Sequence, residues 1–224
     1  MNLLNTLFVT TQGAYVRKDG QNAVVSVDRR SFPIASGKVV AIGHGIDTDT
    51  FRCVARVPAG RLRVVSLGRT SPAKGFETIA RAAELAGVEL EIRGSSSTAE
   101  ERAERARLEA MGVRMGDPVP YSEVRELLSR KDVFVNNMRE GALDKVVYEA
   151  AATCMPVLAS NSGFDDVLPP ELRFDRDDPA DLAAKLRRLS GMDRNEIGRE
   201  LRTRVEARHS AEHWADALLA VVER

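Results

Sequence analysis

Two short stretches hold the residue types best suited to chemistry. The first is Leu67-Gly68-Arg69-Thr70-Ser71-Pro72-Ala73-Lys74-Gly75-Phe76, where an apolar run enters a loop bearing two cations and a helical pattern begins at its end. Backbone N–H groups at a helix start, aided by the helix dipole, attract an anion, and Arg69 and Lys74 can pair with a phosphate directly. The plainer alternative is a loop with two ordinary surface charges. The second stretch is Gly141-Ala142-Leu143-Asp144-Lys145-Val146-Val147-Tyr148-Glu149-Ala150-Ala151-Ala152. Lys145 and Glu149 stand one helical turn apart and share a face, and a carboxylate there can hold a pair of sugar hydroxyls. Its plainer alternative is an i,i+4 ion pair, although the favourable order puts the acid first and here the base leads.

Other features carry less. Gly43-His44-Gly45 lacks the third glycine of a dinucleotide fingerprint, and no Gly-Lys-Ser/Thr phosphate loop is present. The charge run from Glu100 to Glu109 reads as a solvated helix face. His209 and His213 are four apart but have no acidic or cysteine partner nearby in sequence, so they read as surface residues and no metal site is expected. No Ser-His-Asp arrangement can be argued.

The elements that must position these groups follow from a globular composition. The 224 residues balance 33 Lys and Arg against 33 Asp and Glu, with 43% hydrophobic residues, so disorder and a fibrous repeat are excluded. Neutrality gives no electrostatic footprint for nucleic acid, and none is expected as a partner. Cys53 and Cys154 lie far apart in sequence, which gives no support to a disulfide framework or structural zinc and points to a reducing, cytoplasmic setting. No apolar stretch approaches the roughly 20 residues of a transmembrane helix, and the first residues lack the marks of a secretory signal.

Near Ile34 to Lys38 the chain changes character. Before it, Thr6–Thr10, Ala14–Arg17 and Ala23–Val27 read as short strands, with a hairpin turn at Asp19-Gly20-Gln21-Asn22 and a connector at Arg29-Arg30-Ser31-Phe32-Pro33. After it, Val39–Ile42, Leu62–Leu67, Val88–Ile92, Val133–Val135 and Pro156–Ala159 read as buried strands of a parallel sheet. Helical stripes alternate with them, at Phe76, Ile79, Ala80 and Ala83 and at Tyr121, Val124, Leu127 and Leu128. Thr98 and Glu101 form a capping box, Asp178-Pro179 opens a helix with Leu182, Leu186 and Leu189 inward, and two more helices follow through Ile197, Leu201, Val205 and Trp214, Leu218, Val221. The expected fold is α/β: a parallel sheet with helices on both faces, a small β-hairpin element ahead of it, and ligands outside the carboxyl ends of the strands.

From about Lys38 to Arg224 the sequence resembles the C-terminal, Rossmann-like donor-binding half of GT-B glycosyltransferases of family four. The matching series is Val40-Ala41-Ile42-Gly43-His44-Gly45-Ile46-Asp47, Ser66-Leu67-Gly68-Arg69 with Lys74-Gly75-Phe76, Ala142-Leu143-Asp144-Lys145-Val146-Val147-Tyr148-Glu149-Ala150, and Pro156-Val157-Leu158-Ala159-Ser160-Asn161. The resemblance implies sugar transfer from a nucleotide-sugar donor, which is the substrate, with no metal or other cofactor required. It gives Arg69 and Lys74 the donor diphosphate and its developing charge, Glu149 the ribose, and the loop at Val119-Pro120 the neighbourhood of the base; Gly68, Asp144 and Lys145 belong to the same donor site. Two departures stand out. The family's first acid of an E-x7-E pattern falls on Gly141, with Glu140 one residue out of register, and a glycine expected before Pro156-Val157 is replaced by Cys154-Met155.

Residues 1–37 are too few for the acceptor domain of a complete enzyme. The resemblance therefore implies a partner chain carrying that domain, or self-association. The alternative is a catalytically inactive, truncated or fused protein serving as a nucleotide-binding or protein-interaction module. Residues 3–33 themselves resemble the N-terminus of the CRISPR adaptation integrase, without its later metal-binding domain.

Overall fold

Short runs rich in β-branched residues pair readily with one another but cannot bury a core alone. In the computed structural model, which describes residues 7–10, 13–17, 39–41, 43–57 and 60–222, three such runs form an antiparallel sheet. They are β1 (Leu7–Thr10), β2 (Gly13–Arg17) and β3 (Val39–Ala41), in the order β1-β2-β3, with Phe8 opposite Tyr15 and Val16 opposite Val40. This corrects the placement of Val39–Ile42 in the parallel sheet: an apolar run alone does not say which sheet it joins. Ala23–Val27, the turn at Asp19-Gly20-Gln21-Asn22 and the connector at Arg29 to Pro33 lie outside the described residues.

The main sheet is all parallel, as near-continuous apolar strands require. It contains β4 (Arg63–Leu67), β5 (Glu89–Arg93), β6 (Arg114–Gly116), β7 (Val133–Asn136) and β8 (Val157–Ala159) in the order β6-β5-β4-β7-β8. Val64 stands opposite Leu90 on one side and Val133 on the other. Val64, Val65, Phe134, Val135, Val157 and Leu158 are fully buried. The chain adds β5 and β6 on one side of β4, then crosses to β7 and β8, so the strand order reverses at β4 and leaves a crevice at its carboxyl end. Sequence reading missed β6, because a three-residue edge strand of Arg, Met and Gly needs no apolar run.

Around the sheet pack α1 (Phe76–Ala86), α2 (Ala99–Ala110), α3 (Tyr121–Ser129), α4 (Lys145–Ala152), α5 (Pro179–Ser190), α6 (Arg194–His209) and α7 (Ala211–Val222). Their starts obey local capping chemistry. Thr98 Oγ1 accepts from the Glu101 N–H at 3.1 Å while Glu101 Oε2 accepts from the Thr98 N–H at 3.1 Å, and Asp178 accepts from Ala180 and Asp181 ahead of α5. Helix α1 lies on α5, and α4 on α6.

Three readings need correction. Cys53 and Cys154 form a disulfide with their Cα atoms 4.8 Å apart across a sequence separation of 101, because the 43–57 segment folds back against the end of α4. His209 is not a surface residue: its ring lies 4.3 Å from that of buried Tyr148, and its Nε2 is 2.5 Å from Asp166 Oδ2. Within the charge run of α2, Glu101 and Glu104 are buried, the first by the capping box and the second beside Arg107.

Candidate functional site

The loops at the carboxyl ends of β4 and β5 and the first turn of α4 enclose one open cleft. It is lined by Gly68, Arg69, Lys74, Val119, Asp144, Lys145 and Glu149, so seven of the eight residues singled out in the sequence meet there. Pro120 does not line it; it sits one residue away as the residue leading into α3, in extended backbone. Leu67, Arg93, Tyr121 and Met138 complete much of the wall.

Each side chain is placed by a specific local cause. Strand β4 ends at Leu67, and Gly68 takes φ +143°, a conformation open to glycine. A Cβ at Gly68 would lie 2.6 Å from Lys74 Cε and 2.8 Å from its Nζ, so the lysine can run over this position only because it is glycine. The ammonium ends 2.5 Å from Asp144 Oδ2, which also accepts from Asn136 Nδ2 at 2.7 Å. Asp144 occupies the N-cap position of α4 yet makes no capping hydrogen bond, because its carboxylate is turned to Lys74 and Asn136. Arg69 is exposed and makes no side-chain hydrogen bond or ion pair among the described residues. One cation is thus held in place by a carboxylate, and the other is open to a ligand.

On the opposite wall, Lys145 and Glu149 combine both sequence readings. They form the i,i+4 pair, at 3.4 Å, and they line the cleft. Tyr121 joins them: its hydroxyl donates to Glu149 Oε1 at 3.0 Å and accepts from Lys145 Nζ at 3.2 Å. The Tyr121 ring is 54% exposed at the cleft, which corrects its place in the inward stripe of α3. Burial pushes the Glu149 carboxyl above the usual carboxylate range, by more than Lys145 and the Tyr121 hydroxyl pull it down. Burial also disfavours the Lys145 charge, but the Tyr121 hydrogen bond and Glu149 carboxylate hold its ammonium above the ordinary lysine range. Behind this wall His44 is buried and pulled down to about 4, first by desolvation and then by Lys145 and His209, so it is neutral at pH 7.

Sequence reasoning missed Arg93, Tyr121 and Asn136. Tyr121 carried no local signal, since it acts on groups brought close only by the fold, and Arg93 carried none, since only the fold brings it to the cleft wall. Asn136 ends a strand that was identified, and a polar residue there was the one available hint. Glu140, one residue out of register with the expected first acid, binds the Ser162 N–H at 2.9 Å and the Ser162 hydroxyl at 2.6 Å. Gly141 beside it takes φ +77° in the turn before α4. Among the described residues no group of three or more His, Cys, Asp and Glu is placed to hold a metal ion. No helix among them is long and apolar enough to cross a membrane.

Chemically, the cleft offers cations at one end, a buried carboxylate on its side and apolar walls between, an arrangement that suits a phosphorylated, hydroxyl-bearing ligand. Comparison with solved structures places the fold among known ones. Sucrose-phosphate synthase from Thermosynechococcus elongatus superposes with a TM-score of 0.70 at 24% identity, over 80% of this chain and 51% of that one. TarM from S. aureus gives 0.63 at 16% identity, over 87% and 41%. The C-terminal domain of the glycosyl transferase group 1 family protein LpcC from Francisella tularensis gives 0.62 at 14% identity, over 74% of this chain and 99% of that domain. The chain thus spans about half the length of the synthase. No curated protein matches in sequence. The model of the glycosyl transferase-like family matches residues 69–220, which include Arg69, Lys74, Asp144, Lys145 and Glu149, and the chain belongs to that family.

Proposed function

We propose that this chain binds a nucleotide-sugar and serves as the donor half of a sugar-transferring enzyme. The observation that carries the reading is the convergence of Arg69, Lys74 and Glu149 on one cleft at the carboxyl ends of a parallel sheet. Arg69 and Lys74 bind the diphosphate, and Glu149 accepts from the ribose hydroxyls. As the sugar departs, negative charge builds on the diphosphate, and the two cations, Lys74 held in place and Arg69 free to close on the ligand, stabilise it more than they stabilise the intact donor. Asp144 sets the strength of that effect: a diphosphate must compete with it for Lys74, and Asn136 then keeps the displaced carboxylate hydrogen-bonded.

The acceptor is to be held by a second domain or partner chain. Without one the cleft stays open to water and the acceptor is not oriented, two effects that together supply several kcal/mol of a transfer barrier. The half-length match to the synthase supports this division of labour.

Calorimetric titration with nucleoside diphosphates and nucleotide-sugars tests the reading. Each charge-assisted contact is worth about 1.5–3 kcal/mol, so Arg69→Ala and Lys74→Ala should each weaken binding by roughly tenfold or more. Equal affinity in wild type and both variants would defeat the phosphate site. Tight binding with no transfer, even when an acceptor domain is supplied, would leave a nucleotide-binding module instead.

A further inference from the structure

Arg93 is a further cation of the cleft, and its circumstances differ from those of Arg69, Lys74 and Lys145. It ends β5 and lines the cleft together with Pro118, Val119 and Val124. Its side chain lies flat on Gly116, where a Cβ would come within 2.4 Å of its Nε, so the residue is confined rather than free to sweep through solvent. Despite that confinement its buried Nε has no hydrogen-bond partner. The nearest carboxylate, Glu91, stays 3.6 Å away and gives its other oxygen to Lys131 at 2.6 Å. The side chain is 33% exposed, so the outer edge of a pre-placed guanidinium is left facing the cleft with no protein partner among the described residues.

On the proposed donor reading, the phosphates occupy the Gly68–Lys74 end and the ribose meets Glu149, which leaves the Arg93 end for the base. A nucleobase needs an apolar wall for its face and polar groups for its edge. Pro118, Val119 and Val124 supply the wall, and Arg93 supplies the edge. A guanidinium only donates. It can pair with guanine O6 and N7 together, or with uracil O4 alone because uracil N3 carries a hydrogen, but on that edge it meets the exocyclic amino group of adenine or cytosine donor to donor. We propose that Arg93 selects the base of the donor, favouring one with a carbonyl on its outer edge (guanine or uracil) over adenine or cytosine.

Four nucleoside diphosphates and inorganic pyrophosphate, each titrated into the intact chain, test this. GDP should bind more tightly than ADP, or UDP more tightly than CDP, by at least about fivefold, the low end of what a base-edge contact discriminates. Which pair shows the gap identifies purine or pyrimidine. Arg93→Gln, whose amide both donates and accepts, should bring that ratio close to one and leave pyrophosphate affinity unchanged. Where the purine pair shows the gap, inosine diphosphate against ADP repeats the test without any variant, since the two differ at the purine carbonyl position, and the oxo form should win. Nucleotides that bind with no oxo preference would overturn the assignment while leaving the donor site standing. So would a common loss for all four nucleotides and pyrophosphate in Arg93→Gln, which would make Arg93 a phosphate ligand. If neither nucleotides nor pyrophosphate bind, the donor reading falls as well.

Discussion

The carboxylate of Glu149 is only 4% exposed, and its protonation state depends on two neighbours of opposite effect. Burial raises its pKa; the Lys145 ammonium and the Tyr121 hydroxyl, both bound to the carboxylate, favour its ionised form. Ribose hydroxyls donate to that carboxylate more strongly when it is ionised. Nucleotide affinity should therefore fall on acidification, with a midpoint above the roughly 4.3 of a solvated glutamate. Tyr121→Phe removes a hydrogen bond made to the ionised form, so the folded-state pKa rises further and the midpoint moves to higher pH. Affinity measured from about pH 4 to about pH 8 checks this; superimposable curves for wild type and Tyr121→Phe would detach Tyr121 from the site. At this scale the sequence was legible where chemistry is local. Arg69, Lys74, Lys145 and Glu149 sit in motifs that announce a strand end or a helix start. Tyr121 is 28 residues from Glu149, and nothing in its helix tells a tyrosine that packs from one whose hydroxyl reaches a neighbour.

Among elements, α6 packs closely against the end of α4. Cys154, just past α4, takes φ +57°, a left-handed conformation that costs a non-glycine residue about 1–2 kcal/mol. This is the place where the resemblance led us to expect glycine: the backbone kept the shape and the side chain changed. Directly opposite is Gly198 of α6, where an added Cβ would stand 1.9 Å from the Cys154 carbonyl oxygen. Alanine is the better helix former by roughly 1 kcal/mol, which argues for stabilisation by Gly198→Ala. The clash is with backbone, however, and relief needs the two helices to separate, opening the packing of Leu201 and Val205. Overpacking of that kind costs typically 1–3 kcal/mol. Gly198→Ala should thus lower the melting temperature despite the gain in propensity, and an unchanged or higher value in a thermal melt would mean that the helices can part cheaply. Element types were readable from periodicity and caps, as Thr98, Asp178 and the Phe76 stripe show. Sheet membership was not, because Val39–Ala41 is as apolar as a parallel strand and its partner, β2, is chosen by the chain's path.

For the whole molecule, the least legible feature is how the 43–57 segment is fastened to the body. Sequence separation suggested that Cys53 and Cys154 had nothing to do with each other, yet separation along a chain says little about distance in a fold. The Val54 N–H donates to the Thr153 carbonyl at 3.1 Å, and buried Arg56 donates to the carbonyls of Thr153 and Cys154 at 2.9 and 2.8 Å. A cation at the end of α4 also suits the negative end of its dipole. Those bonds put the two cysteines within bonding reach, and the disulfide then makes the attachment covalent. Bridges of this kind persist in oxidising surroundings, so the premise for expecting a reducing compartment is gone. Losing the bridge should cost about 2–5 kcal/mol, mostly by freeing a long loop in the unfolded chain. For a chain of this length that is a fall in melting temperature of roughly 4–20 °C. Cys53 is exposed, so a reductant can reach it, and wild type melted with reductant should coincide with Cys53→Ser melted without. Lys145 opens α4, Glu149 is held one turn further on by Lys145 and the Tyr121 hydroxyl, and Arg69 and Lys74 lie on the loop after β4, away from the bridge. Diphosphate affinity at 25 °C should therefore be the same in both redox states, even though the melting temperatures differ. Equal melting temperatures would show that Arg56 and its carbonyl bonds hold the segment without the sulfurs. A change in affinity on reduction would show instead that the attachment reaches the cleft through α4.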